Sequence, residues 1–382
     1  MKLALVIGNL ERGGSERQIV EFVRATHSEH AECVVICLGD EGPLASEVHA
    51  ANAKVISLKL EGSRSLRGVG KFAHGLWRFA RVLKAERPDA IYAFLFWGYS
   101  IALPLAALVV PRACRIQARR SLPDVDVPSR SIFRGLRWIA DRCSHGVIVN
   151  SLAVGSAVAR HEPVLSGRLW VVPNGVRSMA HRARPAGARL TIVCVANLKA
   201  YKGHATLLGA VRRLRPRGWS LLLVGEGPER ESIERLIASA NLQERVFMLG
   251  RRSDVHDILD AADLVVLPSY SEGMPNAVLE AMAHGIPVVA SDVGGVRSLL
   301  GSGAGIIVAP GDDQALADAL RRLIDDPSLR AEMGDKGRGL AQGSLSVEAM
   351  RDATLSAISD IRERQSRVRS SSRTRLRRKW WT

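Results

Sequence analysis

The chain has 382 residues, of which 47% are hydrophobic, and a formal net charge of +16. That length exceeds what one core usually fills and points to two domains, while the ordinary apolar share excludes a fibrous or low-complexity protein. The five cysteines (Cys33, Cys37, Cys114, Cys143 and Cys194) are odd in number, scattered and form no C-x-x-C pair, so no structural zinc site is indicated and a reducing compartment follows.

In chain order, Lys2 to Gly8 reads as a first β-strand. A signal peptide is the poorer reading, because the apolar run is brief and Glu11 and Arg12 follow at once. The loop after it carries the pair Gly13-Gly14, which permits close backbone approach, with Ser15 expected to cap the first helix. Further strands are expected near 32–38, 54–58, 89–96, 113–118 and 146–150. Cys33 and Cys37 fall on one face of the second of these and are expected to be buried thiols. Ala90 to Val110 has no charged residue and is long enough to span a bilayer. Gly98-Tyr99-Ser100 interrupts it, however, and it divides into a buried strand (Ala90 to Phe96) and a buried helix (Ile101 to Val109). Asp124 and Asp126 form an Asp-x-Asp pair in a proline-flanked loop. Two carboxylates without further ligands make a poor magnesium site, so no metal is assigned.

Residues 177–188 are polar, contain Pro185 and Gly187, and read as a linker. Apolar runs then restart at Leu190 to Ala196 and recur at 221–224, 246–249, 264–267 and 287–290. Strands alternating with amphipathic helices in both halves argue for parallel sheets wrapped by helices. The expected division is 1–176, the linker 177–188, a second domain over 189–361 and a basic tail over 362–382.

The most informative stretch is Ser269 to Gly285, SYSEGMPNAVLEAMAHG. A buried strand precedes it, and Pro275 and Asn276 suit the start of the helix that follows. Glu272 then lies in the strand-to-helix loop and Glu280 eight positions on, inside the helix. Backbone N–H groups at a helix start suit a phosphate, and two carboxylates suit the hydroxyls of a sugar and a ribose. The stretch reads as a nucleotide-sugar site at the carboxyl end of a sheet.

Glu272-Gly273-Met274-Pro275-Asn276 with Glu280, followed by His284 to Gly295, resembles the donor-site signature of the retaining GT-B glycosyltransferases of family 4. The resemblance extends from the first strand to about Met350 and implies an α/β fold of two doubly wound Rossmann-like domains facing a cleft. It also implies a nucleoside diphosphate sugar as substrate, with no cofactor and no metal. Residue by residue, it gives Gly13 and Gly14 to the donor diphosphate and Lys202 to the charge of the leaving group. Glu272 is given to the sugar and Glu280 to the ribose. Gly225, Arg251, Gly273, Met274 and Ala277, with Pro275 and Asn276, line the donor site. Asn197, also given to the donor site, stands where the family often has arginine, so half of the usual cationic clamp is either absent or supplied elsewhere, for instance by Arg251 or Lys199. Trp97 takes the place of a histidine that many relatives carry after the fourth strand, and Arg119, Arg120 and Ser151 are the candidates on the acceptor side.

The tail from Arg362 carries nine Lys or Arg against one acid and ends in Trp380-Trp381-Thr382. It reads either as a solvated tail or, more favourably, as a contact with an anionic membrane surface on the cytoplasmic side. The expected activity is hexose or N-acetylhexosamine transfer to a hydroxyl acceptor, with a lipid-linked acceptor in cell-surface polysaccharide synthesis in view. A nucleotide-sugar epimerase is the rival on the same fold. Nucleic-acid binding through the tail is disfavoured, because the charge is confined to one terminus.

Overall fold

A computed structural model gives the fold. It describes every residue except 27–29, 61–65, 123–130, 180–188, 216–217 and 380–382. Asp124, Asp126, most of the expected linker and the tryptophan pair therefore lie outside the described residues. Two compact units emerge, Met1–Pro173 together with Met350–Thr382, and Asn174–Ala349.

The first unit is built on a seven-stranded sheet in the order β3-β2-β1-β4-β5-β6-β7. Its strands are β1 (Lys2–Ile7), β2 (Glu32–Cys37), β3 (Lys54–Ser57), β4 (Ala90–Phe94), β5 (Cys114–Arg119), β6 (Gly146–Val149) and β7 (Leu169–Val171). All pairings are parallel. The β-branched, continuously apolar runs follow from helices covering both faces, which leaves no solvated side on which polar residues could alternate. The second unit repeats the plan with six strands in the order β10-β9-β8-β11-β12-β13. These are β8 (Leu190–Val195), β9 (Trp219–Val224), β10 (Val246–Gly250), β11 (Leu264–Leu267), β12 (Val288–Ser291) and β13 (Gly305–Val308). In each unit the strand order reverses once, between β1 and β4 and between β8 and β11. Such reversals open the crevices where α/β sheets take ligands.

Three expectations are corrected. Ala90 to Val110 does not break at Gly98-Tyr99-Ser100: the strand stops at Phe94, Leu95 turns the chain at φ 60°, and one helix runs Leu95–Val109. Gly98 sits where that helix passes over β1, so a small residue there serves packing and not termination. Among the described residues no helix is long and apolar enough to cross a membrane. Next, Gly13, and not Ser15, stands at the cap of the first helix, which begins at Gly14. Finally, Met350 to Ile361 belong to the first unit and not to the second. The helix Val347–Lys379 is anchored there by Arg351 to the Ala25 carbonyl (3.1 Å), Ile361 against Gly146, and Arg362 to Asp89 (3.1 Å). Arg364 lies over the Trp170 ring and Arg369 donates to the Pro111 carbonyl, so the start of the basic tail is a docked helix.

Candidate functional site

The site is assembled from loops at the carboxyl ends of β8 and β11, the two strands at the reversal in the second unit. After β8 the chain makes a single 3-10 turn, Ala200–Lys202, which ends at Gly203 in the left-handed conformation (φ 72°). A side chain at Gly203 would stand 1.9 Å from the Pro268 carbonyl oxygen, so only glycine lets this loop pass the end of β11. Tyr270 N–H donates to the Tyr201 carbonyl (2.8 Å) and fastens the two loops together.

This brings Lys202 and Glu272 into contact. The ammonium lies 2.6 Å from Glu272 Oε1, and Ser269 Oγ donates to the same oxygen at 2.7 Å. The lysine side chain is 15% exposed and the glutamate 10%, so the pair is largely desolvated and yet reachable. In such surroundings a cation is worth far more to an incoming phosphate than in water. His204, the next residue after the glycine, is buried, and neither ring nitrogen has a hydrogen-bond partner among the described residues. Burial, with Lys202 adding to it, pushes its pKa down to about 4, so near neutrality it is an uncharged imidazole. Burial also raises the nearby Cys194 thiol to about 12 and keeps it unreactive.

The Glu272–Ala277 loop is pinned from two sides. Gly295 N–H donates to the Gly273 carbonyl (2.7 Å), and a side chain at Gly294 would come within 1.8 Å of the Glu272 carbonyl oxygen. Asn174 Nδ2 donates to the Met274 carbonyl (3.1 Å) and to Asn276 Oδ1 (2.9 Å). Pro275 stands at the cap of the helix Asn276–Ala283 with no side-chain acceptor for the first-turn N–H groups. Glu280, half-buried, lies in the second turn of that helix. The loops after β8, β9 and β10 are laced together by Leu198 N–H to the Glu226 carbonyl (3.0 Å) and Gly225 N–H to the Gly250 carbonyl (2.9 Å). Asn197 and Arg251 are exposed on these loops.

The structure thus joins Lys202 directly to Glu272 and places the 273–277 backbone beside them. It gives roles to Ser269, Asn174 and Gly294, to which sequence reasoning assigned none. Gly294 lies within the His284-to-Gly295 motif, but its partner lies across a loop, and the partners of Asn174 lie about a hundred residues away. In the first unit, Gly13 and Gly14 begin the helix after β1, and the partly buried Glu16 has its pKa raised by burial. Of the acceptor-side candidates, Arg119 is fully buried between Asp141 (3.3 Å), Glu162 (2.7 Å) and the Tyr99 ring and hydroxyl, an ion cluster inside the domain. Arg120 donates to the Tyr92 hydroxyl (3.1 Å), and Ser151 caps the helix Leu152–His161. Trp97 is exposed and packs edge-on against Phe133. Among the described residues, no group of three or more His, Cys, Asp or Glu is placed to hold a metal ion.

Two parallel doubly wound units, the second with a lysine–glutamate pair at its switch point, define the class as a Rossmann-like α/β protein. Residues 12–178 match the family described as Glycosyltransferase Family 4, and residues 180–340 match Glycosyl transferases group 1. The chain is 37% identical over 291 residues to "Putative teichuronic acid biosynthesis glycosyltransferase TuaC" of Bacillus subtilis (strain 168), covering 71% of this chain and 72% of that protein. It belongs to the GT-B glycosyltransferases of family 4. It is also 35% identical to alpha-D-kanosaminyltransferase of Streptomyces kanamyceticus, over 43% of this chain and 44% of that protein. A Rhizobium meliloti (strain 1021) lipopolysaccharide core biosynthesis glycosyltransferase, LpsE, is 35% identical over 40% and 45%. In these two the matched stretch spans under half of either protein. Anabaena Alr3699/HepE, solved in complex with UDP and glucose, shares the fold at a TM-score of 0.82 and 21% identity, over 94% of this chain and 99% of that one.

Proposed function

We propose that this protein moves a hexose or N-acetylhexosamine from a nucleoside diphosphate sugar to a hydroxyl acceptor with retention of configuration and without a metal ion. The observation that carries the reading is the Lys202–Glu272 pair at the β8–β11 switch point, beside the start of the helix Asn276–Ala283. As the bond from the sugar's anomeric carbon to the diphosphate breaks, negative charge grows on the leaving oxygen. Lys202 and the 273–277 backbone N–H groups answer that charge. The acceptor hydroxyl bonds to the same face of the anomeric carbon, and its proton passes to the departing diphosphate. Glu272 accepts hydrogen bonds from the sugar and Glu280 from the ribose. UDP is the donor nucleotide favoured, a choice supported by the UDP held by the structurally similar HepE protein. A lipid-linked acceptor, work at the cytoplasmic face of a membrane and a place in polysaccharide synthesis complete the reading. They are supported by the basic C-terminal helix and by the names of the teichuronic acid and lipopolysaccharide relatives.

Thermal shift with UDP, GDP and ADP tests the donor site, because a ligand bound only to the native state raises its stability by about 2.7 kcal/mol at a hundred times its Kd. UDP should give the largest shift, and Lys202→Ala should reduce it. No shift with any nucleotide would overturn the reading. Incubation with UDP-sugar alone separates transfer from epimerisation, since only an epimerase changes the sugar without an acceptor.

A further inference from the structure

The turn Ala200–Lys202 carries a tyrosine one residue ahead of the lysine, and the donor chemistry gives its ring no task. The Lys202 ammonium lies 5.3 Å from the centre of the Tyr201 ring, and the Lys199 ammonium lies 6.0 Å from it. Both distances fall within the reach of a cation–π attraction. Tyr201 is half-buried and the Lys202 side chain is largely shielded, so water screens the nearer contact only in part. A ring placed for packing alone has no reason to meet charge. This one meets two ammonium groups from its own turn.

The backbone sets the ring in place. Lys202 N–H donates to the Lys199 carbonyl (2.9 Å) and Gly203 N–H to the Ala200 carbonyl (3.2 Å), which closes the turn around Tyr201. The Tyr201 carbonyl accepts from Tyr270 N–H (2.8 Å), and the Tyr270 hydroxyl is braced against Thr206 Oγ1 (2.7 Å). Gly203, packed under the Pro268 carbonyl, holds the far end of the turn. The ring therefore stands beside the lysine because the loops after β8 and β11 are locked together.

Among the described residues, Glu272 is the carboxylate that pairs with Lys202. The proposed reaction asks both groups for further work, Glu272 at the sugar hydroxyls and Lys202 at the diphosphate. A second carboxylate would hold the ammonium as firmly, but it would cancel the charge and repel the phosphate. An aromatic face attracts the cation through its quadrupole, occupies none of the three N–H donors in a conventional hydrogen bond and adds no net charge. We infer that Tyr201 is a positioning residue, whose ring holds the Lys202 ammonium toward the donor diphosphate while Glu272 is engaged with the sugar. This role deepens the proposed function and rests on that reading.

Calorimetric titration of the full chain with UDP and UMP tests it, because the ratio of the two affinities isolates the outer phosphate, where the leaving charge falls. The proteins compared are the wild type, Tyr201→Leu, Tyr201→Phe, Lys202→Ala and Tyr201→Leu/Lys202→Ala. Tyr201→Leu should lower the UDP-to-UMP ratio about three- to tenfold, and Tyr201→Phe, which keeps the ring face, should restore most of it. With Lys202 already removed, Tyr201→Leu should add nothing further, as expected when one residue acts through another. A wild-type ratio in Tyr201→Leu would overturn the inference, and so would UDP and UMP affinities that fall in equal proportion. An equal further loss in the Lys202→Ala background, or a Tyr201→Phe as impaired as Tyr201→Leu, would overturn it too. In each of these cases a ratio still lowered by Lys202→Ala would leave the donor reading standing. A wild-type ratio in Lys202→Ala, or no UDP binding by any of the proteins, would overturn the donor reading and the role of Tyr201 with it.

Discussion

Lys202 and Glu272 neutralise one another in a largely desolvated setting, so removing either has two consequences that can be separated. Lys202→Ala leaves a shielded carboxylate with Ser269 as its remaining described partner, which should lower stability by about 1–3 kcal/mol. It should also lower kcat by about a hundredfold or more, because the missing charge is needed most when the leaving group is most negative. Glu280→Ala should instead raise the donor KM at nearly constant kcat, since ribose contacts are equal in the ground and transition states. Unchanged turnover in Lys202→Ala would remove the lysine from the mechanism. His204 adds a pH signature. The unfolded chain protonates this imidazole near 6.5 and the folded chain only near 4, so unfolding takes up a proton between those values. Stability should therefore fall as pH drops from about 7 to about 5, with this group contributing up to about 2 kcal/mol, and His204→Leu should flatten that slope. Equal urea midpoints for the two proteins at both pH values would show that burial does not govern this imidazole.

At the scale of elements, backbone close approaches decide the geometry that side chains then exploit. Gly294 is the sharpest case: its backbone is left-handed (φ 54°) and its missing Cβ admits the Glu272 carbonyl. Gly294→Ala should displace the Glu272 loop and cost about 1–3 kcal/mol, and thermal denaturation with UDP titration should show weakened donor binding before any loss of fold. An unaltered UDP affinity in a destabilised Gly294→Ala would confine this glycine to folding. Among the described residues, eleven of thirteen strands were legible as apolar runs, because strands covered on both faces must be continuously apolar. The two that escaped, β7 and β13, are short edge strands with half-exposed residues, and their apolar signal is correspondingly thin. Lys202, Glu272 and the helix start were legible because each sits at a strand end with a local motif. The roles of Asn174 and Gly294 were not, because they depend on which loops the sheet order makes neighbours, and sequence periodicity carries no strand order. Arg119 shows the opposite limit. A strand-end arginine looked like a ligand group but is the counter-ion of two buried acids, so Arg119→Ala should cost about 3–5 kcal/mol in stability with no selective effect on kcat.

For the whole molecule, the decisive quantity is where the charge of +16 is free to act. The C-terminal stretch from Arg362 supplies half of it, yet Arg362, Arg364 and Arg369 are engaged with the first unit. Arg367 pairs with Glu363 (3.6 Å), and the other five cations of the stretch, Arg373, Arg375, Arg377, Arg378 and Lys379, precede the tryptophan pair in sequence. The same unit presents Ile132, Trp138 and Ile139 on the helix Ser131–Cys143, with Arg142 over the Trp138 ring (4.1 Å). Each cation near an anionic bilayer contributes about 1 kcal/mol, so five of them together would hold the protein at low salt and release it as screening grows. Apolar insertion of Trp138 and Ile139 is much less sensitive to salt. Deleting residues 371–382 should therefore abolish the salt-dependent part of binding to phosphatidylserine vesicles and leave a weaker, salt-insensitive remainder. Trp138→Ser/Ile139→Ser should remove that remainder. Sugar transfer to a soluble acceptor analogue should be unchanged in both, because neither segment carries a residue of the donor site. Wild-type vesicle binding in the truncated protein at low salt would return the basic terminus to a solvated helix and place any membrane contact on the Ser131–Cys143 face.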